Sequence, residues 1–305
     1  MSSGFYYKYL WFREPAHDGV EVDFLCEKMV YSGRSKFQQI DVVDTRGHGR
    51  MLFLDGIAQS AESDEFIYHE LLAHPPLFSH PEPRSVLVIG GAEGATLREI
   101  FRHPGIERVV MVDIDEELVK VCKEHLASWH QGSYDDPRLE LVIGDGRRFV
   151  ETTRETFDAM VIDLSDPLED GPAVFLFTRE FYQLLREKLK PGGSISVQGE
   201  GISPLDLSLH ARMVNTLRSV FPVVLPYPYS IYSFHRPDAH ILASTDPQWS
   251  LDAYVRRIEN SHLPLLYLSA EVAQGMFILP PYLLQAYETH KQILTDEACH
   301  LEKRR

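Results

Sequence analysis

Five carboxylates stand where a chain of alternating strands and helices would turn at the ends of its strands. They are Glu93 in Gly90-Gly91-Ala92-Glu93-Gly94, Asp113 in Val112-Asp113-Ile114-Asp115, Asp145 in Gly144-Asp145-Gly146, and Asp163 and Asp166 in Asp163-Leu164-Ser165-Asp166-Pro167. Ionised carboxylates accept hydrogen bonds from hydroxyls and amines and pair with cations. One such acid alone reads equally well as a helix cap or a solvated loop residue. Acids at four successive strand ends point instead to a nucleoside site, because open parallel sheets bind ligands beyond the carboxyl ends of their strands. Asp113 follows the glycine turn by about 20 residues, the spacing at which an acid commonly accepts from ribose hydroxyls. Asp115 is the alternative there, or the cap of the next helix. Asp145 is well placed to meet an adenine amino group.

Glu93 narrows the choice of nucleoside. The turn is not GxGxxG, and small residues there can serve merely as a tight strand-to-helix connection. A nicotinamide cofactor would bring a pyrophosphate to this turn, and S-adenosylmethionine a carboxylate; both are repelled by Glu93. Decarboxylated S-adenosylmethionine ends in an ammonium, which an acid in the turn pairs with while rejecting the carboxylated relative.

The elements that must position these acids are legible from hydrophobic pattern. Up to residue 78 the chain reads as β-rich, with partly alternating runs at Glu21 to Tyr31, Phe37 to Asp44 and Arg50 to Leu54, separated by glycine turns and followed by a helix from Glu65 to Phe78. Prolines around Pro81-Glu82-Pro83 place a boundary, giving an N-terminal β-rich domain over 1–78 and a catalytic domain over 79–305. In the second part, apolar runs at Val86 to Ile89, Val109 to Val112, Leu139 to Ile143, Ala159 to Ile162 and Ser194 to Val197 alternate with helical segments. Val223 to Leu225 and His240 to Ala243 can complete the sheet. Lys190-Pro191-Gly192-Gly193 is expected to stop the helix that begins at Thr178. The pattern predicts an α/β fold, a doubly wound and mostly parallel sheet behind a small β-domain.

Composition excludes other classes. The 305 residues carry a formal net charge of -15 with 44% hydrophobic residues. A surface so acidic repels phosphate backbones, so no nucleic-acid partner is expected. No apolar run approaches the ~20 residues needed to span a membrane, and Met1 to Lys8 lacks the apolar core of a signal peptide. Cys26, Cys122 and Cys299 are scattered and odd in number, which fits a reducing, cytoplasmic setting without disulfides. His235, Asp238 and His240 lie close in sequence but lack a fourth ligand, so no metal is expected.

These motifs resemble those of the polyamine aminopropyltransferases, the spermidine and thermospermine synthases. That family carries GGG-[DE]-G after its first Rossmann strand and D-x-x-D-P after its fourth, matched here by Gly90 to Gly94 and by Asp163 to Pro167. Leu54-Asp55-Gly56-Ile57-Ala58-Gln59-Ser60-Ala61-Glu62-Ser63-Asp64-Glu65-Phe66-Ile67-Tyr68-His69-Glu70 resembles the family's signature stretch. Gln38 after Lys36-Phe37, Pro172-Ala173 before Leu176-Phe177-Thr178, and Gln198-Gly199-Glu200 match as well. The likeness runs from about residue 20 to 245. It implies a methyltransferase-like Rossmann domain and transfer of an aminopropyl group from decarboxylated S-adenosylmethionine, a co-substrate rather than a bound cofactor, releasing 5'-methylthioadenosine. It further implies a small polyamine as acceptor, and a homodimer or homotetramer.

By the resemblance, Gln38, Gln59, Gly90, Gly91, Glu93, Asp113, Asp145, Gly146 and Pro172 hold the donor. Asp163, Asp166 and Tyr68 handle the attacking amine, with Asp163 as the base, and His69, Gln198 and Glu200 belong to the acceptor side. Four departures stand out: Ala92 for the third glycine, Ser63 for an arginine, a thermospermine-type loop between Asp166 and Pro172, and Phe234-His235-Arg236-Pro237-Asp238 where spermidine synthases have Tyr-Pro-Ser-Gly. The last leaves the acceptor open among putrescine, a longer amine such as spermidine, and agmatine. Glu200, Asp206 and Asp238 are candidate anchors for its distal ammonium groups, and Arg236 is expected to face solvent. A methyltransferase, or a non-catalytic polyamine-binding protein on the same fold, is the alternative reading.

Overall fold

The computed structural model describes residues 10–17, 20–165 and 172–299. The N-terminal runs form an antiparallel meander of β1 (Leu10–His17), β2 (Val20–Arg34), β3 (Gln39–Thr45), β4 (Gly49–Leu54) and β5 (Ile57–Ala61), each paired with the next. Asp55 and Gly56, with φ of 48° and 82°, make the two-residue turn that pairs Leu54 with Ile57. Alternation decides which residues go where. Met51, Phe53, Val43 and Phe24 pack together on one face, while Leu52, Leu54, Ile40 and Val42 join the core of the larger domain on the other. Neither β1 nor β5 was evident in the sequence. Pro15 and the charges around it suit β1 to the edge it occupies, and β5 is short and follows a tight hairpin.

Helix α1 (Glu65–Ser79) follows, then a seven-stranded sheet of β6 (Ser85–Gly90), β7 (Arg108–Asp113), β8 (Leu139–Ile143), β9 (Phe157–Asp163), β10 (Leu189–Gly201), β11 (Val223–Ser230) and β12 (Pro237–Ser244). Its order is β11-β12-β10-β9-β6-β7-β8. The strands from β10 to β8 run parallel, and β12 is antiparallel to both β10 and β11. Val86 to Val88, Val109 to Met111 and Ala159 to Ile162 are wholly buried, as strands covered on both faces must be. Odd and even positions feed two separate cores, Val86 and Val88 to one, Leu87 and Ile89 to the other.

The covering helices are α2 (Ala95–Phe101), α3 (Glu116–His125), α4 (Ala127–His130), α5 (Gly146–Thr152), α6 (Arg179–Glu187) and α7 (Ser208–Arg218), followed by α8 (Leu251–Ser261), α9 (Ala270–Gly275) and α10 (Pro281–Thr289). Helix α6 ends at Glu187, before the Pro-Gly-Gly run. Lys190 to Gly193 is therefore not the helix stop but part of β10, where the pairing with β9 shifts between Leu189 and Ser194. The glycines fall in that register gap. No helix among the described residues is long and apolar enough to cross a membrane.

Candidate active site

The sheet reverses its winding between β6 and β9, where Gly90 lies beside Asp163 in register. The crevice at that switch point has a volume of about 510 Å³, with Glu93, Asp113, Asp145 and Asp163 all on its wall. Two glycines are required by close approach. A Cβ on Gly90, at φ 81°, would sit 2.0 Å from the Asp163 carbonyl oxygen, and one on Gly146 would sit 2.7 Å from Ile89 Cγ2. Gly91 also lines the crevice and donates its N–H to the Asp163 carbonyl at 2.9 Å. Ala92 is not among the residues with positive φ, so its methyl group is accommodated without strain.

Asp163 stands between two hydroxyl donors. Tyr68 Oη donates to Oδ1 at 2.9 Å and Thr96 Oγ1 to Oδ2 at 2.6 Å. Burial pushes the Asp163 carboxyl above the ordinary range; the positive His69 ring and the hydroxyls work against the rise, and nearby Glu93 adds to it. Tyr68 is buried and held well above its usual value by burial and by the Asp163 charge, so it is a neutral donor.

Glu93 is fixed at both oxygens. Ser60 Oγ donates to Oε1 at 2.5 Å and in turn accepts from Trp129 Nε1 at 3.0 Å. His69 Nε2 lies 3.1 Å from Glu93 Oε2, while His69 Nδ1 lies 2.7 Å from Glu65 Oε2. Burial opposes a charge on His69, but the two carboxylates prevail and raise it to about 10. Both ring N–H groups are thus engaged by Glu65 and Glu93. Arg98 completes the chain, donating to both oxygens of Glu65 at 2.8 and 3.0 Å.

Asp113 is buried, and burial raises it to about 7 despite the N–H of Asp115 donating to Oδ1 at 2.8 Å. A folded-state value above the ordinary 3.8 means that the free protein loses stability as pH climbs from that value through about 7. Asp113→Asn is therefore expected to change Tm little near pH 4 and to raise it by at least about 2 °C more at pH 8.5. Thermal melts without ligand at the two pH values check this; equal shifts at both would remove the linkage.

Asp115 is a cap as well as a link between domains. Its Oδ1 accepts from Leu118 N at the start of α3, and its Oδ2 accepts from Gln38 Nε2 at 2.9 Å and Ser35 Oγ at 2.6 Å. Asp145 caps α5 through the Arg148 N–H at 2.9 Å and is exposed to the crevice. Gln59 donates to the Ile57 carbonyl at 3.1 Å. Asp166 and the side chain of Pro172 lie outside the described residues.

A second cavity of about 190 Å³ adjoins the first, sharing Gln38, Gln59, Tyr68, Leu164 and Ser165 with it. Gln198 and Phe234 line it, and so does Arg236. Arg236 does not point away into solvent as expected; its Nε pairs with Asp238 at 3.2 Å. Glu200, Asp206 and Asp238 contribute to the wall of neither cavity. Glu200 and Asp238 are buried, the former at φ 72° in a bulge between Gln198 and Gly201. Asp206 accepts from the backbone N–H of Ser208.

The sequence offered no sign of several neighbours. Ser60 and Thr96 lie within or beside the motifs, and a search for hydroxyls near the acids would have found them. Glu14, on β1, reaches the second cavity with no local signal. Asp296 reaches the first from the far end of the chain, held by Arg147 through two bonds of 2.8 and 2.6 Å.

The chain is similar to proteins of one known family. The family model of the spermine/spermidine synthase domain matches residues 65–239, and that of the spermidine synthase tetramerisation domain matches residues 10–62. Polyamine aminopropyltransferase 2 of Pseudomonas aeruginosa is 45% identical over 261 residues, spanning 84% of this chain and 75% of the relative. Polyamine aminopropyltransferase 2 of Hyperthermus butylicus is 42% identical over 275 residues, 88% of this chain and 90% of the relative. A spermidine synthase crystallised with the transition-state analogue AdoDATO superposes with a TM-score of 0.85 at 31% identity, covering 92% of this chain and 95% of the other. The spermidine synthase of Thermotoga maritima gives the same figures, a TM-score of 0.85 at 31% identity. With its two family domains in sequence and acids at four strand ends around one crevice, the chain belongs to the spermidine synthase family of polyamine aminopropyltransferases.

Proposed function

We propose that this enzyme moves the aminopropyl group of decarboxylated S-adenosylmethionine to a linear amine and releases 5'-methylthioadenosine, with the donor in the larger cavity and the acceptor in the smaller. The observation that carries this is Asp163, a raised carboxylate on the wall of the larger cavity, held by Thr96 and by Tyr68, which lines both cavities. Asp113 takes the ribose hydroxyls, Asp145 the adenine amino group and Glu93 the donor's ammonium, with Gln38 and Gln59 beside them. Asp166 and Tyr68 orient the amine. Gln198 lines the acceptor side.

The acceptor nitrogen attacks the aminopropyl carbon next to the sulfonium. Its lone pair forms the new C–N bond, the C–S electrons return to sulfur, and a neutral thioether leaves. An alkyl ammonium has a pKa of about 10, like lysine, so it must lose a proton first, and Asp163 accepts it. Burial narrows the gap between the two groups by lifting Asp163 toward the amine. Alignment of donor and acceptor across the junction supplies much of the remaining acceleration. His69 acts on the donor side by holding Glu93 rather than touching the amine. We further place the enzyme in the cytoplasm as a homodimer or homotetramer, the N-terminal domain forming the contact between copies; its match to a tetramerisation domain supports this.

The test is a mass-spectrometric assay with decarboxylated donor and putrescine, cadaverine, agmatine, 1,3-diaminopropane and spermidine, compared by kcat/KM. The expected result is an aminopropylated product from at least one amine, with stoichiometric methylthioadenosine. No product with any amine, or methyl transfer from S-adenosylmethionine instead, would overturn the reading.

A further inference from the structure

Asp296 reaches the larger cavity from beyond α10, and its surroundings hold it there. Leu294 is buried beside α6 and α7; its N–H donates to Thr216 Oγ1 at 2.9 Å and its carbonyl accepts from the Arg179 N–H at 2.8 Å. The Asp296 N–H donates to Glu180 Oε2 at 3.0 Å, and Cys299 is buried just beyond. The backbone, pinned in this way, presents the Asp296 carboxylate to Arg147, whose Nη1 and Nη2 donate to Oδ1 and Oδ2 at 2.8 and 2.6 Å. Thr178 Oγ1, at the cap of α6, donates to Oδ1 at 2.6 Å. The bonds from Arg147 hold the Asp296 carboxyl below the ordinary range, so it is ionised near neutral pH. Arg147 is the second residue of α5, directly after Gly146, and its Nη1 also donates to the Phe175 carbonyl at 3.2 Å in the short 3₁₀ helix Pro172–Leu176. Gly146, Arg147, Ala173, Phe175, Leu176 and Asp296 all line the larger cavity.

The start of α5, the 3₁₀ helix before α6 and the segment after α10 are remote in sequence, and they meet at Arg147. A bidentate arginine–carboxylate pair fixes direction as well as distance, because the planar fork matches the two oxygens. Here the guanidinium side chain is 21% exposed and the carboxylate 34%, so water screens the pair only in part. Released from Asp296, Arg147 keeps Glu151, 3.2 Å from its Nε, as a carboxylate partner. Glu151 is half-exposed and lies outside the cavity wall, so it would draw the guanidinium outward and away from the Phe175 carbonyl. We infer that Asp296 is a positioning residue for the nucleoside end of the donor site: by clamping Arg147 it fixes the wall that the start of α5 and the 3₁₀ helix present to the donor's adenosine. This rests on the aminopropyl-transfer reading above, with the donor in the larger cavity, and gives Asp296 a part in binding but none in the chemical step. The clamp acts on the shape of the wall. It therefore serves the cationic donor and the neutral product methylthioadenosine alike.

Calorimetry with 5'-methylthioadenosine and steady-state kinetics with decarboxylated donor test it. The proteins are the wild type, Asp296→Asn, Arg147→Gln, the double variant and Glu151→Gln, with thermal melts to establish folding. Asp296→Asn should weaken methylthioadenosine binding and raise the donor KM by about tenfold each, the scale of hydrogen bonds to a charged group, while kcat at saturating donor and the acceptor KM stay within about twofold. Arg147→Gln should do the same. The double variant should be no worse than the more affected single one, since both changes remove one clamp. Glu151→Gln takes away the other carboxylate of Arg147, outside the cavity, and should leave both affinities at their wild-type values. If folded Asp296→Asn binds methylthioadenosine as the wild type does, the inference fails while the transferase reading stands; a loss confined to the donor would show that Asp296 acts through its charge alone. Additive losses in the double variant would overturn it too. If Asp296→Asn does not fold, Arg147→Gln decides by the same comparison of the two ligands. A wild type that binds neither ligand would instead sink the underlying reading.

Discussion

Asp163→Asn should lower kcat by about 10²–10⁴-fold, the range for loss of a general base, while donor affinity stays within about threefold of wild type. Asparagine keeps the shape of the side chain and can still accept at its single oxygen from one of the two hydroxyls, Tyr68 Oη or Thr96 Oγ1, and the Gly91 N–H is held by the backbone carbonyl of residue 163, so the strand end should persist. What it cannot do is take a proton from the acceptor ammonium. Single-turnover kinetics separates the chemical step from product release, and calorimetry measures donor binding. The wild-type rate should also fall on acidification with its midpoint above the ordinary aspartate range, since Asp163 must be ionised to act and burial raises its carboxyl; this acid limb should vanish in the variant. A variant that retains half the wild-type rate would take the base role away from Asp163.

The second large effect concerns the choice of donor. Glu93→Gln should narrow the preference for decarboxylated donor over S-adenosylmethionine by roughly 1–3 kcal/mol, the scale of a hydrogen bond to a charged group. Two changes act together: the ammonium loses its counter-ion, and the carboxylate of the wrong donor loses its repulsion. The carboxylate of Glu93 is held between Ser60 Oγ and His69 Nε2, so it cannot swing aside to admit a second carboxylate. His69 would keep its bond to Glu65 in the variant, which limits collateral loss of stability. Competitive binding of the two donors, measured by calorimetry on wild type and variant, gives the ratio directly. An unchanged ratio would mean that Glu93 does not face the donor's amino end.

Much of this site is legible in the order of the residues. Strands buried on both faces must be continuously apolar, so Val86 to Ile89 and Ala159 to Ile162 announce themselves. Acids that follow such strands fall at one edge of a parallel sheet whatever the loops do, which is why Glu93, Asp113, Asp145 and Asp163 converge on one crevice. Local rules mislead where they compete with tertiary pairing. Lys190-Pro191-Gly192-Gly193 has the composition of a helix stop, yet it falls within β10, in the register gap between Leu189, opposite Phe157, and Ser194, opposite Ala159. The helix has already ended at Glu187.

What the sequence by itself determined was the sheet, its ligand edge and the carboxylates placed there, because period and spacing are properties of neighbouring residues. Only the tertiary structure decided which groups those carboxylates face. Asp113 and Asp115 are two residues apart, but one is a buried acid raised to about 7 and the other a helix cap tied to Gln38 and Ser35. His69 is one of several histidines until Glu65 and Glu93 are brought to its two nitrogens. Arg236 reads as a surface residue in sequence, yet it lines the smaller cavity, beside a left-handed His235 and against Gly201, which leaves room for it. Each of these outcomes depends on distance, burial and charge between residues remote in the chain, and those quantities exist only once the two domains have packed.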